Sequence, residues 1–247
     1  MVTHQMRLTA GGAAITLALV TIAVHGGAQA GDVLQRAVEQ ALRGDRDMRR
    51  IEVSVEGNQV TLAGRVQTFW VKREALRLTL EVPDVNTMVS ELEIPAGEDD
   101  QRLADDVGRA VQRYVNYTMW DYIGAVINQG VVTLSGWVTP DRDKAGEIFE
   151  RVAKLRGVQD VQSSIETLPT NRQDPLLRQA IARRLFVSVH FTRFSSMSNP
   201  PFRIIVDNGV VTLFGYVQSD VERIEMELIV GQTQGILRVD SQLQILR

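Results

Sequence analysis

The chain has 247 residues, 44% of them hydrophobic and 23% charged, with a formal net charge of −3 and no cysteine. That length either buries one core or divides into about two or three small domains, and a mildly acidic balance does not suit a nucleic-acid-binding chain. Without cysteine there is no disulfide, thiol nucleophile or lipidated N-terminal cysteine, so the fold rests on packing alone.

Residues 1–30 have the makings of an export leader: Arg7, the apolar run AAITLALVTIAV from Ala13 to Val24, and Ala28-Gln29-Ala30 as the cleavage signal. The other reading is a membrane anchor, but a run of about 12 apolar residues is short of the roughly 20 that span a bilayer. The expectation is cleavage after Ala30 and a periplasmic mature chain. Losing Arg7 leaves 26 basic against 30 acidic residues, unevenly spread. From Thr170 onward nine arginines outnumber seven acids, which points an anionic partner to the C-terminal third.

Behind the leader one pattern occurs three times. Apolar residues at helical spacing come first: Val33, Leu34, Ala37, Val38, Ala41 and Leu42; then Leu103, Val107, Ala110 and Val111; then Leu177, Ile181 and Leu185. Asp174 before Pro175 reads as the cap of the third of these helices. A first strand follows, with Ile51, Val53 and Val55, then Ile123, Ala125 and Ile127, then Arg203-Ile204-Ile205-Val206. The second strand lies in EGNQVTLAGRV, NQGVVTLSGWV and DNGVVTLFGYV, with the same loop length before each, so one register is expected three times: Val55 to Val60, Ile127 to Val132, Val206 to Val211. A second helix, capped at Thr139 before Pro140 or at Ser219, leads to a last strand within residues 84–94, 157–168 and 235–246.

The unit is therefore αββαβ, and the fold class is α+β: three tandem small domains over residues 31–95, 101–169 and 174–247. Each is a three-stranded mixed sheet covered on one face by two helices. Gly64, Gly136 and Gly215 repeat inside strands, which calls for a bend or the close approach of another backbone, with a helix across the sheet as the expected neighbour. Gly157 and Gly235 open the last strand of copies two and three, whereas copy one has Pro83-Asp84-Val85 there.

On the repeated VTLxG-x-V, with Gly157-Val158 and Gly235-Ile236, the chain resembles the BON domain family, named for bacterial osmotic-stress and nodulation proteins. The resemblance spans the expected mature chain. It implies a binding module of the envelope, linked in relatives to anionic phospholipid, membrane integrity and periplasmic chaperoning, and it implies no enzyme.

The residues themselves agree with a non-catalytic reading: no catalytic, cofactor-binding or metal residues are assigned. His190 is the one histidine beyond the leader, and no nucleophile is arranged beside it in sequence. The acid pairs Asp99-Asp100 and Asp105-Asp106 read as solvated surface. Strand alternation puts Trp137, Phe214 and Tyr216 on the sheet face away from the helices, an apolar patch that either packs between domains or meets a protein or lipid. The stretch from Leu185 to Phe202 interleaves Phe186, Phe191, Phe194, Met197 and Phe202 with Arg193. With Arg183 and Arg184 it forms either a basic aromatic surface for a lipid interface or a lengthened edge hairpin that fills the third core. The contact candidates are Arg183, Arg184, Arg193, Phe194, Trp137, Phe214 and Tyr216. The expected partner is anionic phospholipid or an envelope surface, with periplasmic or outer-membrane proteins as the alternative and no nucleic acid.

Overall fold

A computed structural model describes residues 25–97 and 99–246. Arg7 and the apolar run Ala13–Val24 of the expected leader lie outside the described residues. Each domain has the expected order of elements. The first consists of α1 (His25–Leu42), β1 (Glu52–Glu56), β2 (Gln59–Arg65), α2 (Phe69–Leu80) and β3 (Thr87–Glu93). The second has α3 (Asp100–Gln112), β4 (Tyr122–Asn128), β5 (Val131–Val138), α4 (Lys144–Ala153) and β6 (Asp160–Thr167). The third has α5 (Gln173–Leu185), β7 (Phe202–Asp207), β8 (Val210–Val217), α6 (Asp220–Gly231) and β9 (Arg238–Ile245). Helix α1 starts before the expected cleavage point and runs through it.

Every sheet has its second strand in the middle, antiparallel to the first and parallel to the third. A parallel neighbour cannot be reached by a tight turn, so the second helix makes the crossover. The register is the same in all three: Val55 opposes Val60, Ile127 opposes Val132 and Val206 opposes Val211. Alternation then places Val60 and Leu62, Val132 and Leu134, and Val211 and Leu213 against the helices, all fully buried. Leu34, Val38 and Leu42 of α1, with their counterparts in α3 and α5, complete three separate cores.

Three local expectations are corrected. The neighbour of the strand glycines is not a helix but a backbone carbonyl at, or just before, the start of the adjacent strand. A Cβ on Gly136 would stand 2.0 Å from the Tyr122 oxygen, and one on Gly215 2.3 Å from that of Pro201. Both have positive φ, +127° and +96°, so shape and conformation each demand glycine. Thr139 does not cap α4; the Asp143 carboxylate does, accepting from the Gly146 N–H at 2.9 Å. Asp174 lies inside α5, and Asn171 accepts its N–H at 2.7 Å. Its carboxylate reaches across to the hairpin instead, accepting the N–H groups of Asn208 (2.9 Å) and Gly209 (3.2 Å). Asp100 does the same for Gln129 (2.6 Å) and Gly130 (2.9 Å) in the second domain. These clamps tie the first helix of a unit to its β-turn and satisfy amides that a tight hairpin leaves unpaired.

The stretch before β7 is not an edge hairpin. It folds as turns around a short 3-10 helix, Thr192–Phe194, that puts Phe191 and Phe194 into the third core against Phe202. The core-filling half of that reading holds, and the aromatic lipid surface does not form.

Candidate functional site

The outward aromatic patch is used within the chain. Phe214 of the third domain stacks on Tyr122 of the second, with ring centroids 4.0 Å apart and planes 9° from parallel, and Trp137 flanks both at 6.4 and 6.0 Å. Leu168 and Ile205 close this cluster. Phe214 is 7% exposed, so of the three predicted patch residues Tyr216, at 46%, is the most open. Phe194 is also buried, for the reason given above.

The predicted arginines divide in the same way. Arg193 is paired with Glu222 at 2.8 Å and lies 4.5 Å over the Phe194 ring. Burial raises the Glu222 carboxyl, but the Gln218 N–H and Arg193 outweigh it and hold the group below its ordinary value. Arg183 and Arg184 are exposed at the end of α5 and, among the described residues, bond only to amide oxygens, those of Gln179 and Gln232. Just beyond them Val187 and Val189 are 82% and 79% exposed. Two cations next to two bare valines form a compact amphipathic tip.

A second basic surface is on the first domain, where sequence reasoning did not look. The segment RDMRR between α1 and β1 starts with a 3-10 turn, Arg46–Met48, capped by the Asp45 carboxylate and anchored by the buried Met48. This anchoring turns Arg46, Arg49 and Arg50 outward. With Arg65 at the end of β2 they line a concavity of about 820 Å³, beside Asp47, Glu52 and Gly64. Arg65 pairs with Glu93 at 3.4 Å, while the other three make no ion pair among the described residues. Arginine forks that no carboxylate engages are suited to phosphate or carboxylate oxygens. The signal available in the sequence was R-x-x-R-R in the short segment between the first helix and the first strand.

Polar burial concentrates where the second domain meets the third. Asp121 and Lys144 are both buried, with Lys144 Nζ 3.0 and 3.2 Å from the two carboxylate oxygens. Asp121 also accepts from the Thr118 N–H and hydroxyl and from the Thr139 N–H, so its lone pairs are met on all sides. Thr139, released from capping, donates to Asp141. Burial raises the Asp141 carboxyl, and the Thr139 hydroxyl and the Lys144 charge more than reverse it, leaving it below the ordinary range. Burial lowers Arg178 on α5, against the opposing pull of Asp174, Asp121 and Asp141. Its Nη2 donates to the Val206 oxygen at 3.1 Å.

Nothing here assembles into a catalytic triad. Glu225 accepts from the Ser188 hydroxyl and faces His190 Nδ1, so the acid sits between serine and histidine rather than behind the histidine. Ser188 and then His190, against burial, hold the Glu225 carboxyl below its ordinary value. Among the described residues no group of acids, histidines or cysteines could hold a metal ion, and no helix is long and apolar enough to cross a membrane.

Comparison with known proteins gives one family. The BON domain description matches residues 31–96, 99–169 and 174–247. Comparison with curated proteins gives no match. Among solved structures, the C-terminal domain of CdsD, a structural protein of the type III secretion system of Chlamydia trachomatis, is 13% identical; the alignment covers 87% of this chain and 98% of that one at a TM-score of 0.25. A second CdsD structure is 14% identical, over 87% and 92%, at the same TM-score. Similarity at that level carries no argument about function.

Proposed function

This chain belongs to the BON domain family, and on that premise we propose that it is a non-catalytic binding protein of the periplasmic envelope that docks on anionic phospholipid or comparable envelope surfaces. The observation that carries this reading is the first-domain concavity, in which Arg46, Arg49 and Arg50 face solvent without a carboxylate partner among the described residues. The tip of the third domain, with Arg183 and Arg184 beside Val187 and Val189, supports it as a second contact. Each arginine near an anionic leaflet is worth about 1 kcal/mol, so either surface alone binds weakly. Linking both in one chain raises the effective concentration of the second contact once the first is made.

The test is co-flotation of the protein with vesicles of neutral phosphatidylcholine and with vesicles containing phosphatidylglycerol, at low and high salt. Binding that requires the anionic lipid and fades with salt is the expected result. Reversing Arg46, Arg49 and Arg50 to glutamate should remove most of it, and reversing Arg183 and Arg184 a smaller part. Flotation unchanged by both sets of reversals would refute the reading. A protein-interaction or chaperone-like role is the second reading, favoured by the exposed Tyr216 beside an open groove between the second and third domains.

A further inference from the structure

We propose that this groove binds an extended peptide with a free C-terminal carboxylate, which adds as a strand to the open edge of β4. The site is separate from the arginines assigned to lipid. The groove has a volume of about 770 Å³ and runs between α3 and β4 on one side and the segment leading into β7 on the other, with Val111, Ile123, Ala125, Pro201 and Tyr216 among its walls.

Three observations identify the occupant. The first is the sheet edge. In the order β4-β5-β6, β4 has a neighbour on one side only. The Ile123 N–H turns away from β5 and donates to the Tyr117 hydroxyl at 3.3 Å. By strand alternation Ala125 and Ile127 present their amide and carbonyl groups on that same side, where an added strand would pair with them. The second is space: a Cβ built on Gly108 of α3, which lines the groove, meets no atom within 4 Å, so the glycine keeps room for a chain to lie down.

The third is charge. Arg113 and Arg203 line the groove and no acidic residue does. Tyr117 Oη accepts both the Ile123 N–H and the Arg203 Nε–H, each at 3.3 Å, and its own proton has no acceptor among the described residues. Arg203 Nη1 is spent on the Pro200 and Phe202 carbonyls at 2.7 and 3.1 Å, while Nη2 has no partner among the described residues. The Tyr117 hydroxyl proton, Arg203 Nη2 and the exposed Arg113, which makes no ion pair among the described residues, are donors awaiting an oxyanion beside a strand edge. A carboxylate at the end of an extended chain supplies both.

The experiment titrates the whole protein, without lipid, against a fluorescein-labelled octapeptide of alternating valine and threonine with a free carboxylate. Its C-terminally amidated twin and a twin N-methylated at alternate peptide nitrogens are titrated alongside. The free acid should bind with a dissociation constant on the order of 10–100 µM, and amidation should weaken it about tenfold. N-methylation on the edge-facing side should abolish binding, as should Gly108→Leu. Tyr117→Phe should reduce the free acid to the affinity of the amide while leaving the amide little changed, and Arg113→Glu, at an exposed position, should act in the same direction. Amide resonances of Ile123 and Ala125 should move on binding. No binding of the free acid at about 1 mM, equal affinity for acid and amide, or indifference to Gly108→Leu in a folded protein would overturn the proposal. Displacement of the peptide by an equal concentration of glycerol phosphate would overturn it in favour of a lipid headgroup.

Discussion

Between the first and second domains helix packs on helix, whereas between the second and third sheet packs on sheet. At the first junction Phe69 and Trp70 of α2 meet the second core and Phe149 of α4, with Arg73 4.5 Å over the Phe149 ring and Lys154 5.2 Å over Trp70. The linker adds the Gln159 side chain donating to the Pro95 oxygen at 3.0 Å. At the second junction the stacked Tyr122, Phe214 and Trp137 are joined by a backbone bond from Ile204 N–H to the Met119 oxygen at 2.7 Å. The same unit thus spends different faces. The helical junction leaves the outer sheet face of the first domain open, with Arg65 at its end. The sheet junction covers much of the corresponding face in the other two domains. Triplication of a fold has therefore not triplicated a surface.

The largest difference between the two junctions is expected at the buried ion pair. Lys144→Ala leaves the Asp121 carboxylate in the interior without its cation and should cost about 3–5 kcal/mol. Urea unfolding should show the second and third domains losing stability while the first keeps its midpoint. Phe214→Ala should cost about 3 kcal/mol through the lost aromatic contacts, and Trp70→Ala, at the half-buried helical junction, about 1–2 kcal/mol. Equal costs in the same unfolding assay would mean that the two junctions do not differ in strength. Gly136→Ala should cost more than Gly64→Ala, because the added Cβ meets a carbonyl at 2.0 Å in one case and 3.3 Å in the other. About 3 against about 1–2 kcal/mol is expected from calorimetry of the two variants. The smallest effect has the opposite sign. Asp84 occupies with φ +71° the turn that Gly157 and Gly235 fill in the other copies, so Asp84→Gly should stabilise the first domain by up to about 1 kcal/mol.

How far each feature could be read from sequence follows the distance over which its cause acts. Helical and strand periodicities and the hairpin length are local, and they fixed Val55 against Val60 and its counterparts correctly. The clamps from Asp100 and Asp174 act across 29 to 35 residues, and nothing near either aspartate announces the turn that it holds. Phe191 and Phe194 fill a core because the chain doubles back on itself, which interleaving with arginine disguises as a surface. The choice between a partner and a neighbouring domain for Trp137 and Phe214 required knowing which sheets face each other. Arg46, Arg49 and Arg50 were visible as letters, but their charge was averaged away in a domain that is acidic as a whole.

The side chain of Met119 lies before β4 of the second domain yet belongs to the core of the third. A chain synthesised from its N-terminus has that methionine in place before any residue of the third domain exists. The last domain then condenses around a plug held out by its predecessor. Cut from that predecessor, residues 174–247 would keep their sequence pattern and lose a piece of their interior. The boundary drawn by the repeat is therefore not the boundary at which the chain can be divided.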